Sequence, residues 1–424
     1  MNSRHTQARI ADINIDRLMS DIDEYGRIGK DDQNGVTRPS FSAADFEARK
    51  KLIGEWKALG LEVIIDGAAN IWGKKKGTGK KHGSIVIGSH LDSVPNGGKY
   101  DGPLGVLMAK ELLISLGEHE IILDHDLEIV SFTAEESNDF NLSTFGSRSF
   151  SGKLAAKDLE AVKDSSGMRL ADALKMAGGS LESYPNMYEQ HTGKKAFLEL
   201  HIEQGKRLEE NNIAVAAVDH VAGIYRNKIT FKGEANHSGT TVMNQRKDAL
   251  AAAAEMILFV EELCLRNEEE LVGTIGKLDI SPNAVNIVPG SVQFTIEVRG
   301  KGRTEIFLAA KSAIASKLSE AAEKRGMKME QEIIIDQDPI PLDKDIVQIV
   351  KQSAEQTNEP CMTLTSMAVH DAAHMAAVTK SAMLFVKSVD GKSHCPEEYS
   401  SPEDIARAGK VLLDAIFQID QFLS

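Results

Sequence analysis

The segment Ser84-Ile85-Val86-Ile87-Gly88-Ser89 constrains this chain most: a short apolar, β-branched run that breaks off into His90, Leu91 and Asp92. A run of this kind predicts a buried strand that delivers polar groups to the edge of a covered sheet. In open α/β sheets, sites lie outside the carboxyl ends of the strands. The glycine-rich loop Asn96-Gly97-Gly98-Lys99-Tyr100-Asp101-Gly102 follows and supplies another carboxylate. An imidazole and a carboxylate at a strand end, with a further carboxylate to orient the ring, suit a metal ion.

The flanking sequence predicts the rest of that sheet. Phe46 to Leu59 has helical spacing with Gly60 as its stop signal, and Leu61 to Ile65 pairs with Asn70 to Gly73 as strands. Leu104 to Leu116 reads as a buried helix. Leu127 to Thr133 reads as a strand ending at Glu135-Glu136, and Ala196 to Glu203 as one ending at His201-Ile202-Glu203. Strands alternating with helices predict an α/β, mostly parallel, doubly covered sheet. The pattern changes after Gly223. Strands over Asn227–Lys232, Leu271–Ile280, Ser291–Arg299 and Lys328–Ile335, with helices over Arg246–Leu265 and Arg303–Arg325, give βαββαβ, a ferredoxin-like order. From Asp343 the first style returns, with a strand over Ala382–Val386 and a terminal helix over Pro402–Leu423. The expected domains are therefore 1–222 with 338–424, interrupted by an inserted domain over 223–337.

A chain of 424 residues is long enough for two or three domains with a large core. The net charge of −14, with acids and bases interspersed, argues against a nucleic-acid binder or a membrane-surface protein. Three scattered cysteines, Cys264, Cys361 and Cys395, are too few for a disulfide framework and fit a reducing cytoplasm. Met1 to Arg17 is polar, without the apolar core of a signal peptide, and no window approaches the roughly 18 apolar residues of a membrane span.

Five positions fall at predicted strand ends or in adjoining loops: His90, Asp101, Glu136, His201 and His394. Singly, each reads as an ordinary structural histidine, a turn aspartate or a solvated acid. Jointly, at successive strand ends, three histidines with two carboxylates suit a pair of borderline divalent ions such as Zn²⁺, Mn²⁺ or Co²⁺. Asp101, in its glycine loop, is the candidate bridge between two ions. Glu135, beside Glu136, is free to act as general base on a metal-bound water.

These residues lie in motifs that resemble the hydantoinase/carbamoylase amidases, a branch of the dinuclear metallopeptidase superfamily of aminopeptidase-like fold. The motifs are Gly88-Ser-His-Leu-Asp-Ser-Val-Pro-Asn-Gly-Gly-Lys-Tyr-Asp-Gly-Pro-Leu-Gly105, Thr133-Ala-Glu-Glu136, Phe145-Gly-Ser-Arg148, Glu199-Leu-His-Ile-Glu-Gln-Gly205, Ala235-Asn-His-Ser-Gly-Thr-Thr241, Asn283-Ala-Val-Asn-Ile-Val-Pro289 and Ser393-His-Cys-Pro-Glu-Glu398. They run in the family's order over nearly the whole chain. The resemblance implies that His90, Asp101, Glu136, His201 and His394 bind two divalent metal ions per subunit, Zn²⁺ or Mn²⁺, with Co²⁺ or Ni²⁺ also admissible. Asp101 would bridge, Glu135 would be the base and Asp92 would hold the His90 ring.

For the substrate, the resemblance implies that Arg299 grips a carboxylate with its bidentate fork, that His237 stabilises the oxyanion, and that Asn286 and Gln204 hydrogen-bond the substrate. His237, Asn286 and Arg299 lie in the inserted domain, so closure of that lid would complete the site. In the family this domain also forms the homodimer, and some of these residues can serve the partner's site. Two departures stand out. Asp390-Gly391 replaces a Gly-Gly pair common in relatives, and Cys395 follows His394 where relatives often have Asn or Ser. His370-Asp371 also resembles a family element, without an assigned role beyond packing or support. The implied activity is a binuclear metal-dependent amidohydrolase that cleaves the linear amide of an N-carbamoyl-L-amino acid or related ureido acid, releasing CO2 and ammonia. Allantoate hydrolysis, or a dipeptidase or aminoacylase on the same scaffold, is the alternative.

Overall fold

A computed structural model describes residues 12–424, so Met1 to Ala11, most of the polar segment considered for a leader, lies outside it. Fifteen strands are described: β1 Glu62–Ile65, β2 Ile71–Lys75, β3 Ser84–His90, β4 Asp126–Phe132, β5 Lys194–Ile202, β6 Val215–Val221, β7 Gly223–Lys232, β8 Asn236–His237, β9 Leu271–Ser281, β10 Ile287–Val288, β11 Ser291–Gly300, β12 Lys328–Gln337, β13 Ile340–Pro341, β14 Cys361–Ser366 and β15 Lys380–Val386. The chain divides into two compact units, one of residues 12–219, 342–364 and 369–424, the other of 220–341 with 365–368.

The larger unit is built on a sheet of order β1-β2-β4-β3-β5-β15-β6-β13, with β14 pairing β6. Its centre, β4-β3-β5-β15, is parallel, and antiparallel strands flank it on both sides. This is the α/β architecture expected from the alternation of strands and helices. Every residue of β3 is buried, as is nearly all of β5 and β15, which is why these strands read as continuous apolar runs. The helix Pro103–Glu118 packs on β3 and β5, and the helix Pro402–Phe422 packs on β15 and on the helix Lys344–Gln356. The terminal helix buries Ile405, Val411, Leu412, Ile416 and Ile419, each contributing about 1.5–3 kcal/mol of transfer free energy.

The smaller unit runs β7, helix Ala249–Leu265, β9, β11, helix Thr304–Lys324, β12, with the short ribbon β8-β10 beside it. Its four-stranded sheet has the order β12-β7-β11-β9 and is antiparallel throughout. β11 alternates buried and half-buried residues, and Phe294, Ile296 and Val298 join Met256, Val260, Phe307, Ile314 and Leu318 in one core. The first helix starts three residues later than the expected Arg246, because the Asp248 carboxylate accepts the amides of Leu250 and Ala251 and caps it there. Five strands go beyond those expected from sequence: the two-residue β8, β10 and β13, and the longer β6 and β14. β6 (Val-Ala-Ala-Val-Asp-His-Val) is too alanine-rich to signal a strand, and β14 (Cys-Met-Thr-Leu-Thr-Ser) is short with only partial burial.

Candidate active site

The four parallel strands deliver their carboxyl ends to one place. β3 ends on His90, β4 leads through Thr133 and Ala134 to Glu135 and Glu136, β5 carries His201 just before its end, and β15 leads into the loop that holds His394. The turns are sharp: Ala134, Gln204 and His394 all have φ near +55°, at +55°, +56° and +57°, backbone that non-glycine residues hold only where the surroundings fix it. Gly102, at φ +81°, ends the glycine loop, and a Cβ there would lie 2.2 Å from the His90 ring. That close approach brings the Asp101 loop against the imidazole.

Asp101 stands at the centre. Its Oδ1 is 3.1 Å from His201 Nε2 and 3.8 Å from His90 Nε2, and its Oδ2 is 3.3 Å from His394 Nε2. Glu136 Oε1 is 3.2 Å from the same His394 nitrogen, and Glu135 Oε2 is 3.8 Å from His90 Nε2. Two ligand sets therefore form, His90-Asp101-His201 and Asp101-Glu136-His394, and they share Asp101. A third, Glu199-His201-His370, lies behind the first.

The hydrogen bonds around the rings say what must fill the space between them. His90 Nδ1 is 3.0 Å from the Asp92 carbonyl, and His201 Nδ1 is 3.0 Å from the Ile202 carbonyl. Only an N–H can face a carbonyl, so in the neutral rings both Nε2 atoms carry lone pairs. Those lone pairs point at carboxylate oxygens, and His201 Nε2 is buried without an aligned hydrogen bond. Lone pair against carboxylate is repulsive unless a cation, or a proton, lies between. Protons alone would leave the imidazoles charged: the His90 ring is held well above its ordinary range, burial being outweighed by Glu135, Asp92 and Asp101, and His394 is pushed up to about 10 by Asp101 and Glu136. Asp101 is held well below the carboxylate range, since His201, His394 and His90 overcome its burial. Divalent ions would displace these protons, and a borderline N/O donor set fits them.

Glu135 differs from its neighbours. Burial, with Glu136 and Asp371 adding to it against His90, pushes its carboxyl well above the usual range. Asp92 braces the site more broadly than the sequence reading foresaw. Its carboxylate is 3.6 Å from His90 Nδ1, and its two oxygens also accept the amides of Glu135 and Glu136, at 3.3 and 3.0 Å. Gln204 donates from Nε2 to Asp101 Oδ2 at 2.7 Å and to Ser393 Oγ at 3.2 Å. His370 stacks edge-on against His201 with ring centroids 4.3 Å apart, and burial beside His201 holds it well below its ordinary range. Asp390 takes φ +56°, the left-handed region where Asp is tolerated and Gly preferred. Cys395 is in none of the ligand sets found among the described residues.

Three contributors went unnoticed as such in the sequence. Glu199 accepts Ser89 Oγ and the Ala372 amide, both at 2.8 Å, and its signal was an acid inside the apolar run of β5. Ser393 Oγ lies 2.7 Å from Asp101 Oδ2 and 2.9 Å from Glu398 Oε2, its one proton available to either carboxylate, and Glu398 accepts the Asp101 amide at 3.0 Å.

The smaller unit carries His237, Asn286 and Arg299. His237 pairs with Ile287 across the β8-β10 ribbon, and the Asn286 carbonyl accepts the Ser238 amide at 2.9 Å, so the two exposed side chains are neighbours on one ribbon. The Gly239 amide donates to His237 Nδ1 at 3.0 Å, which puts the proton of the neutral ring on Nε2. Arg299, half-buried near the end of β11, donates from Nε to Glu297 at 2.9 Å and from Nη1 to the Met367 carbonyl.

Residues 86–418 match the family described as Peptidase family M20/M25/M40. An N-carbamoyl-L-amino acid amidohydrolase of Geobacillus stearothermophilus is 36% identical over 406 residues, spanning 96% of this chain and 98% of its own. An allantoate amidohydrolase of Bacillus subtilis (strain 168) is 33% identical over 401 residues, spanning 94% and 96%. The crystal structure of a hydantoinase/carbamoylase family amidase from Burkholderia multivorans superposes with a TM-score of 0.87 at 30% identity, over 96% of this chain and 98% of that one. A buried carboxylate shared between two ligand sets, on this fold and with these relatives, identifies the chain as a member of the metal-dependent M20/M25/M40 peptidase family, in its branch of hydantoinase/carbamoylase amidases.

Proposed function

We propose that the protein hydrolyses the linear amide of an N-carbamoyl-L-amino acid or a closely related ureido acid. The observation that carries this reading is the pair of ligand sets meeting at Asp101, with the proton-affine Glu135 carboxylate 3.8 Å from His90 Nε2. His90, Asp101 and His201 would hold one divalent ion, and Asp101, Glu136 and His394 a second, Zn²⁺ or Mn²⁺ with Co²⁺ or Ni²⁺ as substitutes. Bound there, such ions supply Lewis acidity and a water of lowered pKa. Glu135 takes the proton of the attacking water and returns it to the leaving nitrogen. The bond between the carbamoyl carbon and the amino-acid nitrogen breaks, giving the free amino acid and carbamate, which decomposes to CO2 and ammonia. His237, carrying its proton on Nε2, is the proposed donor to the oxyanion. Arg299 is the proposed fork for the substrate carboxylate, with Gln204 and Asn286 as amide partners.

The reading takes the smaller unit as a ferredoxin-like lid and dimerisation unit of a cytoplasmic homodimer. Its edge strand β9 exposes Val272 and Leu278, all three cysteines are free thiols, and no helix among the described residues is long and apolar enough to cross a membrane. A substrate panel tests the activity: N-carbamoyl-L-amino acids, allantoate, N-acyl amino acids and dipeptides, each with Zn²⁺, Mn²⁺, Co²⁺ and Ni²⁺. Ammonia release from ureido acids is expected. Faster cleavage of dipeptides or N-acyl amino acids would overturn it. The 33% identity to an allantoate amidohydrolase makes allantoate the second reading, and preference for it over every carbamoyl amino acid would select it.

A further inference from the structure

We infer that Glu398 is a positioning residue that bolts the Asp101 loop to the His394 loop and so sets the shared carboxylate of the ligand sets. This rests on the reading of those sets as a metal site. Glu398 follows the tight turn after His394, its amide donating to the Cys395 carbonyl at 3.1 Å, and its side chain turns inward to 4% exposure. Oε1 accepts two consecutive amides of the glycine loop, Tyr100 N at 2.9 Å and Asp101 N at 3.0 Å. Oε2 lies 2.9 Å from the Ser393 hydroxyl, and that hydroxyl also lies 2.7 Å from Asp101 Oδ2. One carboxylate thus fixes Asp101 from its backbone, and through Ser393 it reaches the end of the Asp101 side chain.

The loop is shaped to admit it. A Cβ on Gly98 would lie 2.0 Å from Glu398 Oε1 and 2.5 Å from its Cβ, so only glycine leaves room for the carboxylate against the loop. Asp101 and Glu398 are 297 residues apart in the chain. Without the bolt, the two loops would have to meet at the site independently, each with its own ordering entropy. Outer partners of this kind set ligand geometry, and their loss costs about 10–100-fold in metal affinity.

The experiment compares wild type with Glu398→Ala, Glu398→Asp and Glu398→Gln by two readouts. The first is Zn²⁺ and Mn²⁺ affinity of the metal-free protein, by chelator competition. The second is hydrogen–deuterium exchange of the Gly97–Gly102 segment in the metal-free protein, which needs no metal site at all. Alanine removes the acceptor and aspartate falls one methylene short of both amides, so both are expected to weaken metal binding about 10–100-fold and to speed exchange in that segment. Glutamine keeps Oε1 in place and should stay within about threefold of wild type in both readouts, which a purely electrostatic role would not allow. If Glu398→Ala proves insoluble, Glu398→Asp against Glu398→Gln decides. Unchanged exchange in the Ala or Asp variant, or a Gln variant as impaired as they are, overturns the inference. A wild-type protein that binds neither ion overturns the metal reading instead, and the exchange data still decide the bolt.

Discussion

The two units hold their candidate residues in opposite ways. In the larger one, His90, Asp92, Asp101, Glu135, Glu136 and His201 are buried and only His394 of the ligand sets is exposed, and Asp92, Asp101 and Glu199 each brace several neighbours. In the smaller one, His237 and Asn286 are exposed on a two-stranded ribbon and Arg299 is half-buried against Glu297. The difference teaches a division of labour. A hydrolytic centre needs groups whose positions and proton affinities are fixed before substrate arrives, which burial and cross-bracing provide. The groups proposed to meet the substrate from the smaller unit are exposed or half-buried, while Gln204, proposed for the same task, is held in the larger unit by Asp101 and Ser393.

Replacing Glu135 presses hardest on this comparison. Glu135→Gln keeps the shape and leaves the two ligand sets intact, so metal content measured by elemental analysis should stay at the wild-type level while kcat falls about 10²–10⁴-fold, the usual contribution of a positioned base. Turnover within tenfold of wild type on any confirmed substrate would remove Glu135 from the chemistry. His237→Ala comes next. Loss of an oxyanion donor costs roughly 2.7–4 kcal/mol, about 10²–10³ in kcat. Because the side chain is exposed, the unfolding free energy should change by less than about 0.5 kcal/mol. A large loss of stability would mean that the smaller unit's residues are structural after all. For Arg299→Ala the expected effect lies in KM. A charged hydrogen-bonded contact to a carboxylate is worth about 1.5–3 kcal/mol, so KM should rise about 10–150-fold with kcat held near wild type. Equal hydrolysis by the wild type of amides lacking the carboxylate would sink the anchor role.

The same division explains what was legible in the sequence. Strands β3 and β5 could be read because a strand covered on both faces is an unbroken apolar run, and the candidate ligands could be read because His90 and His201 sit where such runs end. Strand β6 could not, since two adjacent alanines and the pair Asp219-His220 fit neither period. The braces were hidden for a different reason. Glu199 and Glu398 stood inside the quoted motifs without a role of their own; only folding shows that Glu398 turns inward while Glu397 stays exposed. Sequence pattern reports which face a residue prefers on average, and a buried acid acquires its meaning from donors far along the chain.

Acid sensitivity should separate the units by pH window. In the larger unit, His374 accepts from Lys153 Nζ at its Nδ1, 3.1 Å away, and its Nε2 is 2.9 Å from Thr144 Oγ1, an arrangement that only the neutral ring can make. Burial first, then Lys153 and Arg148, push it down to about 3. Its unfolded counterpart takes up a proton near 6.5, so the stability it provides is whole above that pH and is lost as pH falls toward 3. The slope is about 1.4 kcal/mol per pH unit for one proton. In the smaller unit, Glu255 is held down at about 2, chiefly by Arg325 with burial opposing and Lys324 helping. Its contribution persists above about 4.5 and fades only below, and it is small because the group is partly exposed. Urea unfolding of wild type and His374→Gln at pH 7, 6 and 5 checks this. The variant should be less stable at pH 7 yet lose less stability than wild type between pH 6.5 and 5, whereas Glu255→Gln should run parallel to wild type over the same range. Parallel behaviour of His374→Gln would mean that the ring is charged in the fold, and that burial in the larger unit does not set its protonation.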